Sequence, residues 1–197
     1  MCKRQILIVL AVGAFLPTKA HATPASFLNV NVRVYNTARA PTETRRGALV
    51  VASHTLGASR ISVDWFDCEV ADTCGRPPAA GELVVRLVRA PSAGTPAAPF
   101  VLGEAWIDTA VRAGVLASIY IDRVELMATL SETDVVSLLG RALAHEIGHL
   151  LMASNTHSAR GLMRARWSPA DLRRNDVLDW LLTDEDAAVI RRRLGGS

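Results

Sequence analysis

Short stretches of alternating apolar and polar residues dominate the first two thirds of the chain. The clearest runs over residues 27–35, where every second residue is apolar, namely Leu28, Val30, Val32 and Val34. This period of two is typical of a β-strand with one buried face. The same reasoning predicts strands over residues 61–66, 83–88 and 116–121, and one of less regular pattern over residues 100–107.

A helical period replaces the alternation in two regions. Apolar residues three and four positions apart predict a helix over residues 45–56. They also predict a long helix over residues 132–152, with Ser131 and Asp134 as a capping box at its start. Two C-terminal helices should begin after Ser168 and Thr183. Strands first and helices last indicate an α+β fold, with a twisted mixed sheet, one long helix and C-terminal helices.

The first 22 residues have the pattern of an export signal. A basic head is followed by an apolar run over residues 6–16 and by Ala20-His21-Ala22, which has the form of a signal-peptidase site. The apolar run is shorter than the ~20 residues that span a bilayer. We therefore predict cleavage after Ala22 and a secreted or periplasmic protein, with an uncleaved anchor as the alternative. Residues 23–197 should form one soluble, monomeric domain.

Removal of the signal changes both the charge and the cysteine count. Three of the 22 basic residues lie in residues 1–22, which leaves 19 against 19 acidic ones, so no nucleic-acid partner is indicated. Cys2 also leaves with the signal. The remaining pair, Cys68 and Cys74, favours a disulfide in an exported chain. The alternative is a free thiol that binds a metal and keeps the protein latent.

The most informative motif lies in the predicted long helix, which contains His145-Glu146-Ile147-Gly148-His149. Histidines four residues apart lie on one side of a helix, so both imidazoles can reach one ion. Glu146 is placed to hold a water without binding the metal itself. His157 offers a third imidazole beyond the helix, which would leave one position of a tetrahedral Zn²⁺ open for water. The alternative is a helix whose histidines merely lie on a partly buried face.

The stretch from His145 to Met163 resembles the metzincin clan of zinc endopeptidases, particularly the matrixin-type branch. It combines His-Glu-Ile-Gly-His-Leu-Leu, a turn, His-Ser and Gly-Leu-Met. The resemblance implies a zincin-like fold, zinc bound by His145 and His149, Glu146 as the general base and Met163 as the methionine of the turn beneath the metal. It also implies a peptide or protein substrate.

Two positions depart from the pattern of that clan. Met152 stands where the clan has glycine, and Asn155 stands where it has the third histidine. Because asparagine tolerates a left-handed backbone, we expect Asn155 to end the helix in place of glycine. We expect His157 to be the third ligand. The alternative is an acid from the following helices, with Asp171 and Asp176 as the candidates.

These features predict an exported zinc endopeptidase that binds an extended peptide along a sheet edge. Residues 103–106 are a candidate for that edge, and residues 164–167 are a candidate lining of a side-chain pocket. The irregular third ligand leaves a second reading open. The chain could be a zinc-stabilised binding or structural module that has no turnover.

Overall fold

The computed structural model describes residues 27–69, 72–91, 101–108, 110–111 and 113–195. The predicted signal peptide and its cleavage after Ala22 lie outside these residues. Among the described residues, no helix has both the length and the apolar character that crossing a membrane requires.

Five strands form one mixed sheet with the order β2-β1-β3-β5-β4. Strands β2, β1, β3 and β5 are parallel neighbours, and β4 pairs antiparallel with β5 at the edge. Each strand matches a predicted one within a few residues. Their bounds are Leu28–Asn36 (β1), Ile61–Asp67 (β2), Leu83–Val88 (β3), Gly103–Asp108 (β4) and Ala113–Tyr120 (β5).

The described residues form five α-helices beside the sheet, which confirms the α+β class. They are Thr42–Gly57 (α1), Ile121–Ser131 (α2), Val135–Met152 (α3), Pro169–Arg174 (α4) and Asp184–Leu194 (α5). Two short 3-10 helices cover Asp72–Gly75 and Val177–Trp180.

The prediction of one long helix from residue 132 is wrong at its start. The chain forms two helices, because Glu132 adopts a left-handed conformation (φ 52°) that ends α2. Asp134 is the N-cap of α3 and accepts a hydrogen bond from the Ser137 amide. Ser131 belongs to α2, where its hydroxyl donates to the carbonyl of Met127. The predicted capping box therefore does not form, and α2 is an element that the sequence patterns did not reveal.

Helices α1 and α3 pack against each other and on one face of the sheet. Their contact is close at Gly140, where an added Cβ would lie 2.7 Å from the backbone oxygen of Ala48. Below them, the inward residues of the central strands are fully buried, among them Val32, Val85 and Ile119. This packing fixes α3 across β5 and β4, so one side of α3 faces the edge of the sheet.

The predicted disulfide joins Cys68 to Cys74, with a Cα–Cα distance of 5.4 Å. Neither thiol is therefore free to bind a metal, which removes the alternative of thiol latency. Two buried arginines hold the flanks of this loop. Arg45 contacts the Asp67 carboxylate at 2.9 Å, and Arg33 contacts that of Glu82 at 2.8 Å.

Candidate metal centre

The two histidines of α3 lie side by side, as their spacing predicts. His145 and His149 are both buried, with ring centroids 4.7 Å apart. Their Nε2 atoms are 3.1 Å apart. The helix thus brings two imidazole nitrogens to a single point at its surface.

Backbone carbonyls fix the orientation of both rings. Nδ1 of His145 lies 2.8 Å from the oxygen of Leu162, and Nδ1 of His149 lies 2.8 Å from that of Ser154. A carbonyl can only accept a hydrogen bond, so each Nδ1 carries the proton and donates it. In the neutral rings, both Nε2 atoms are then unprotonated and present lone pairs to each other. Such an arrangement is repulsive unless a cation lies between the two nitrogens.

The rings are held in their neutral form. Burial lowers the pKa of His145 to about 3, and the nearby His149 and His157 add to the shift. Burial also lowers the pKa values of His149 and His157. A proton therefore does not bridge the two Nε2 atoms at neutral pH, whereas a metal ion is suited to do so.

His157 completes the cluster, as predicted. Its ring centroid lies 4.8 Å from that of His149 and 5.5 Å from that of His145. One ligand atom from each of the three histidines can be chosen so that all lie within 4.8 Å of one another. Within the described part of the chain, they are the one group of three or more potential ligands that could hold a metal ion.

The acidic alternatives for the third ligand are engaged elsewhere. Asp171 accepts hydrogen bonds from Ser168 and Arg174. Asp176 caps the short 3-10 helix that follows it, by accepting from the amide of Leu178. Neither carboxylate belongs to the histidine cluster, so the geometry favours His157.

The chain leaves α3 at a different residue from the one predicted. Ala153, and not Asn155, adopts the left-handed conformation (φ 45°, ψ 49°). Its amide donates to the Leu150 carbonyl, and the Ser154 amide donates to that of His149. These bonds offset the ~1–2 kcal/mol that a left-handed conformation costs a residue with a Cβ. Met152 therefore remains helical, and the turn forms without a glycine.

Met163 lies in a turn that packs against α3. Its side chain is fully buried, and its Sδ would be 2.6 Å from a Cβ added at Gly148. The carbonyl of Met163 accepts a hydrogen bond from the Ser158 amide at 2.9 Å. The turn is thereby tied to the residue next to His157.

A buried carboxylate supports the same loop from α5. Asp186 accepts a hydrogen bond from the Ser158 hydroxyl at 2.7 Å and also forms a capping box with Thr183. Its charge partly offsets the lowering of the pKa values of His145 and His149. Sequence analysis assigned no role to this contact, because residues 158 and 186 are far apart in the chain and only the fold brings them together.

Glu146 is buried beside the histidine pair, and its Oε2 atom makes no hydrogen bond. Burial raises the pKa of this carboxyl to about 8, and the charge of Glu104 adds to the shift. Strand β4 passes close to this side chain, and the space for it depends on the absence of a Cβ at Gly103. A Cβ on Gly103 would lie 2.9 Å from both Cγ and Oε1 of Glu146.

A cleft of about 910 Å³ opens in front of the histidines. The first residues of β4 line it, so the edge strand predicted at residues 103–106 borders this cleft. Residues 164–167, predicted to line a pocket, also line it. Trp167 stands edge-on to His145, with ring centroids 5.4 Å apart. Met127 of α2 is a lining residue that the sequence patterns did not indicate.

No protein-family model matches the chain, and a search of curated proteins finds no match either.

Proposed function

We propose that the chain is an exported zinc-dependent endopeptidase related to the matrixin-type metzincins. The observation that carries the proposal is the convergence of two carbonyl-anchored imidazoles, with Nε2 atoms 3.1 Å apart, beside a third one. Tetrahedral zinc with bonds of ~2.0–2.1 Å separates its nitrogen ligands by ~3.3 Å. The spacing of His145 and His149 fits two ligands of one Zn²⁺ ion, and His157 offers a third imidazole within 4.8 Å of both.

Zinc held by the three histidines would supply Lewis acidity for activating a water and polarising a peptide carbonyl. Glu146, whose Oε2 has no hydrogen-bond partner, would accept the proton of that water and deliver it to the leaving amine. A cation on the neighbouring histidines would favour the ionised form of this carboxyl, against the rise in its pKa that burial causes.

The edge strand offers a binding site for the backbone of the substrate. Strand β4 pairs with β5 on one side, and no other described strand pairs with its second edge, which could add an extended peptide by main-chain hydrogen bonds. Since residues at the start of β4 also line the cleft, a peptide paired there passes the histidine cluster. The residues that line the cleft would then determine which side chains of the substrate are accepted.

The decisive experiment measures zinc content and peptide cleavage by the purified mature chain. We expect about one zinc per chain and cleavage of casein or of a mixed peptide library. Glu146→Gln should retain the metal and lose cleavage. Zinc binding without any cleavage that depends on Glu146 would instead support a zinc-stabilised binding module. A chain that binds no zinc under zinc-replete conditions would refute both functions.

A further inference from the structure

Two arginines line one wall of the cleft, and nearby carboxylates do not fully neutralise their positive charges. Arg164 and Arg166 lie two residues apart in the non-helical segment after Met163, and both line the cleft. Arg166 is exposed and can reach an occupant of the cleft, whereas the side chain of Arg164 is only 17% exposed.

Arg166 is exposed and forms no ion pair or hydrogen bond with any described residue. Its guanidinium group can therefore donate hydrogen bonds to a negatively charged group of a molecule bound in the cleft. Its planar set of donors matches a carboxylate better than any other group of a peptide.

Arg164 is only weakly neutralised. Its nearest carboxylate oxygens belong to Asp171 and Asp179, at 3.6 and 3.7 Å. Both carboxylates make shorter contacts with Arg174, at 3.0 and 2.6 Å. The Nε and Nη2 atoms of Arg164 have no hydrogen-bond partner. Arg164 and Arg174 thus share two carboxylates, and Arg166 adds a positive charge that forms no ion pair with a described carboxylate.

The cleft also contains a negative charge on the edge strand. Glu104 lines the cleft and accepts a hydrogen bond from Tyr120 at 2.6 Å. A negative group of the substrate is repelled by Glu104 and attracted by Arg166. The charges therefore favour an anion beside Arg166 rather than beside Glu104.

We propose that Arg166, supported by Arg164, binds a carboxylate of the substrate, so that the enzyme prefers peptides with an acidic group next to the scissile bond. This inference rests on the proposed function. The carboxylate comes either from a Glu or Asp side chain or from the C-terminus of a short peptide. An exposed charge pair is worth up to ~1 kcal/mol, which corresponds to a preference of about fivefold.

The experiment compares peptide pairs that differ only by Glu or Gln at each position around the cleaved bond. Wild type should show up to about a fivefold higher kcat/KM for Glu at one position, mainly through a lower KM. Arg166→Gln should bring the ratio close to one, and Arg166→Lys should restore part of it. The matched control is Arg173→Gln, since Arg173 is exposed on α4 and does not line the cleft. It should keep the wild-type ratio.

Two further arms complete the test. Gln peptides with a free or an amidated C-terminus distinguish the terminal carboxylate from an acidic side chain. Anisotropy of labelled Glu and Gln peptides on the Glu146→Gln chain measures binding without turnover. Equal binding and equal kcat/KM for all pairs would overturn the inference, while cleavage of neutral peptides would leave the proposed function standing. An arginine-independent preference for Glu would overturn it as well.

Discussion

Replacing Gly103 by alanine should remove catalysis while leaving the metal site intact. Gly103 lies at the start of β4, directly over the carboxyl group of Glu146. The new methyl group would lie 2.9 Å from Cγ and Oε1 of Glu146 and from the backbone oxygen of Ser118. Ordinary contacts of such atoms begin near 3.5 Å. Three contacts are therefore too short by about half an ångström each.

Rotation of the Glu146 side chain can relieve two of the three contacts. The third is with the backbone oxygen of Ser118, which the sheet holds in place, so β4 must also shift at Gly103. Displacement of a catalytic group by ~1 Å typically costs ~100-fold in rate. We therefore expect kcat to fall about 100-fold in Gly103→Ala, with a smaller change in KM.

The assay measures kcat, zinc content and Tm for Gly103→Ala beside Gly57→Ala. A Cβ at Gly57 meets no atom within 4 Å, so that variant controls for the loss of a glycine. Zinc content should stay near wild type in both, because Gly103 does not contact the histidines. Full activity of Gly103→Ala would refute the assignment of Glu146 as the base. Loss of zinc from this variant would show that β4 supports the metal directly.

Three further changes test the metal loop and the charges around it. His157→Ala should lower zinc affinity by orders of magnitude, and an unchanged affinity in a chelator competition would reject it as a ligand. Ser158→Ala should lower zinc affinity by about 10- to 100-fold, because it removes the hydrogen bond from the loop to Asp186 of α5. Thr183→Ala weakens the capping box of α5 but keeps the Ser158–Asp186 hydrogen bond, so it should leave zinc affinity unchanged. The pKa of Asp171 is lowered to about 2 by hydrogen bonds from Ser168 and by nearby arginines. Its contribution to stability is therefore present above pH ~4 and lost as the pH falls towards 2; Asp171→Asn should flatten Tm against pH in that window, and an unaltered slope would contradict the shift.

Local patterns were sufficient to predict the strands and the first part of the metal site. The alternation around Val30 and Val32 needs only one buried face of a sheet, and the structure provides it. The pairing of His145 with His149 follows from helical geometry alone. In both cases, the residues that form the pattern lie within a few positions of each other in the chain.

Helix α2 could not be predicted in the same way, whereas the start predicted for the long helix lies within three residues of the start of α3. Neither glycine nor proline marks the end of α2. Glu132 takes the left-handed conformation there, the Thr133 amide donates to the Ala128 carbonyl, and the Asp134 carboxylate caps α3. These capping bonds join two helices where the pattern indicated only one.

The position of His157 beside the other two histidines depends on contacts that no short motif contains. Asn155 was the better candidate for the left-handed turn by residue type, yet Ala153 adopts it. The path of the loop then follows from two distant partners, the Met163 carbonyl and the Asp186 carboxylate, which both bind Ser158. Sequence spacing alone indicated that His157 was available, and the fold determines that it converges.

Under the proposed function, the backbone prepares the cluster for a cation as much as the histidines do. The carbonyls of Ser154 and Leu162 fix both protons on Nδ1, and these two residues belong to the loop that carries His157. The same loop therefore supplies the third imidazole and aligns the lone pairs of the first two. A substitution that shifts this loop should weaken all three ligands together, so metal loss should be cooperative with loop displacement rather than graded by ligand.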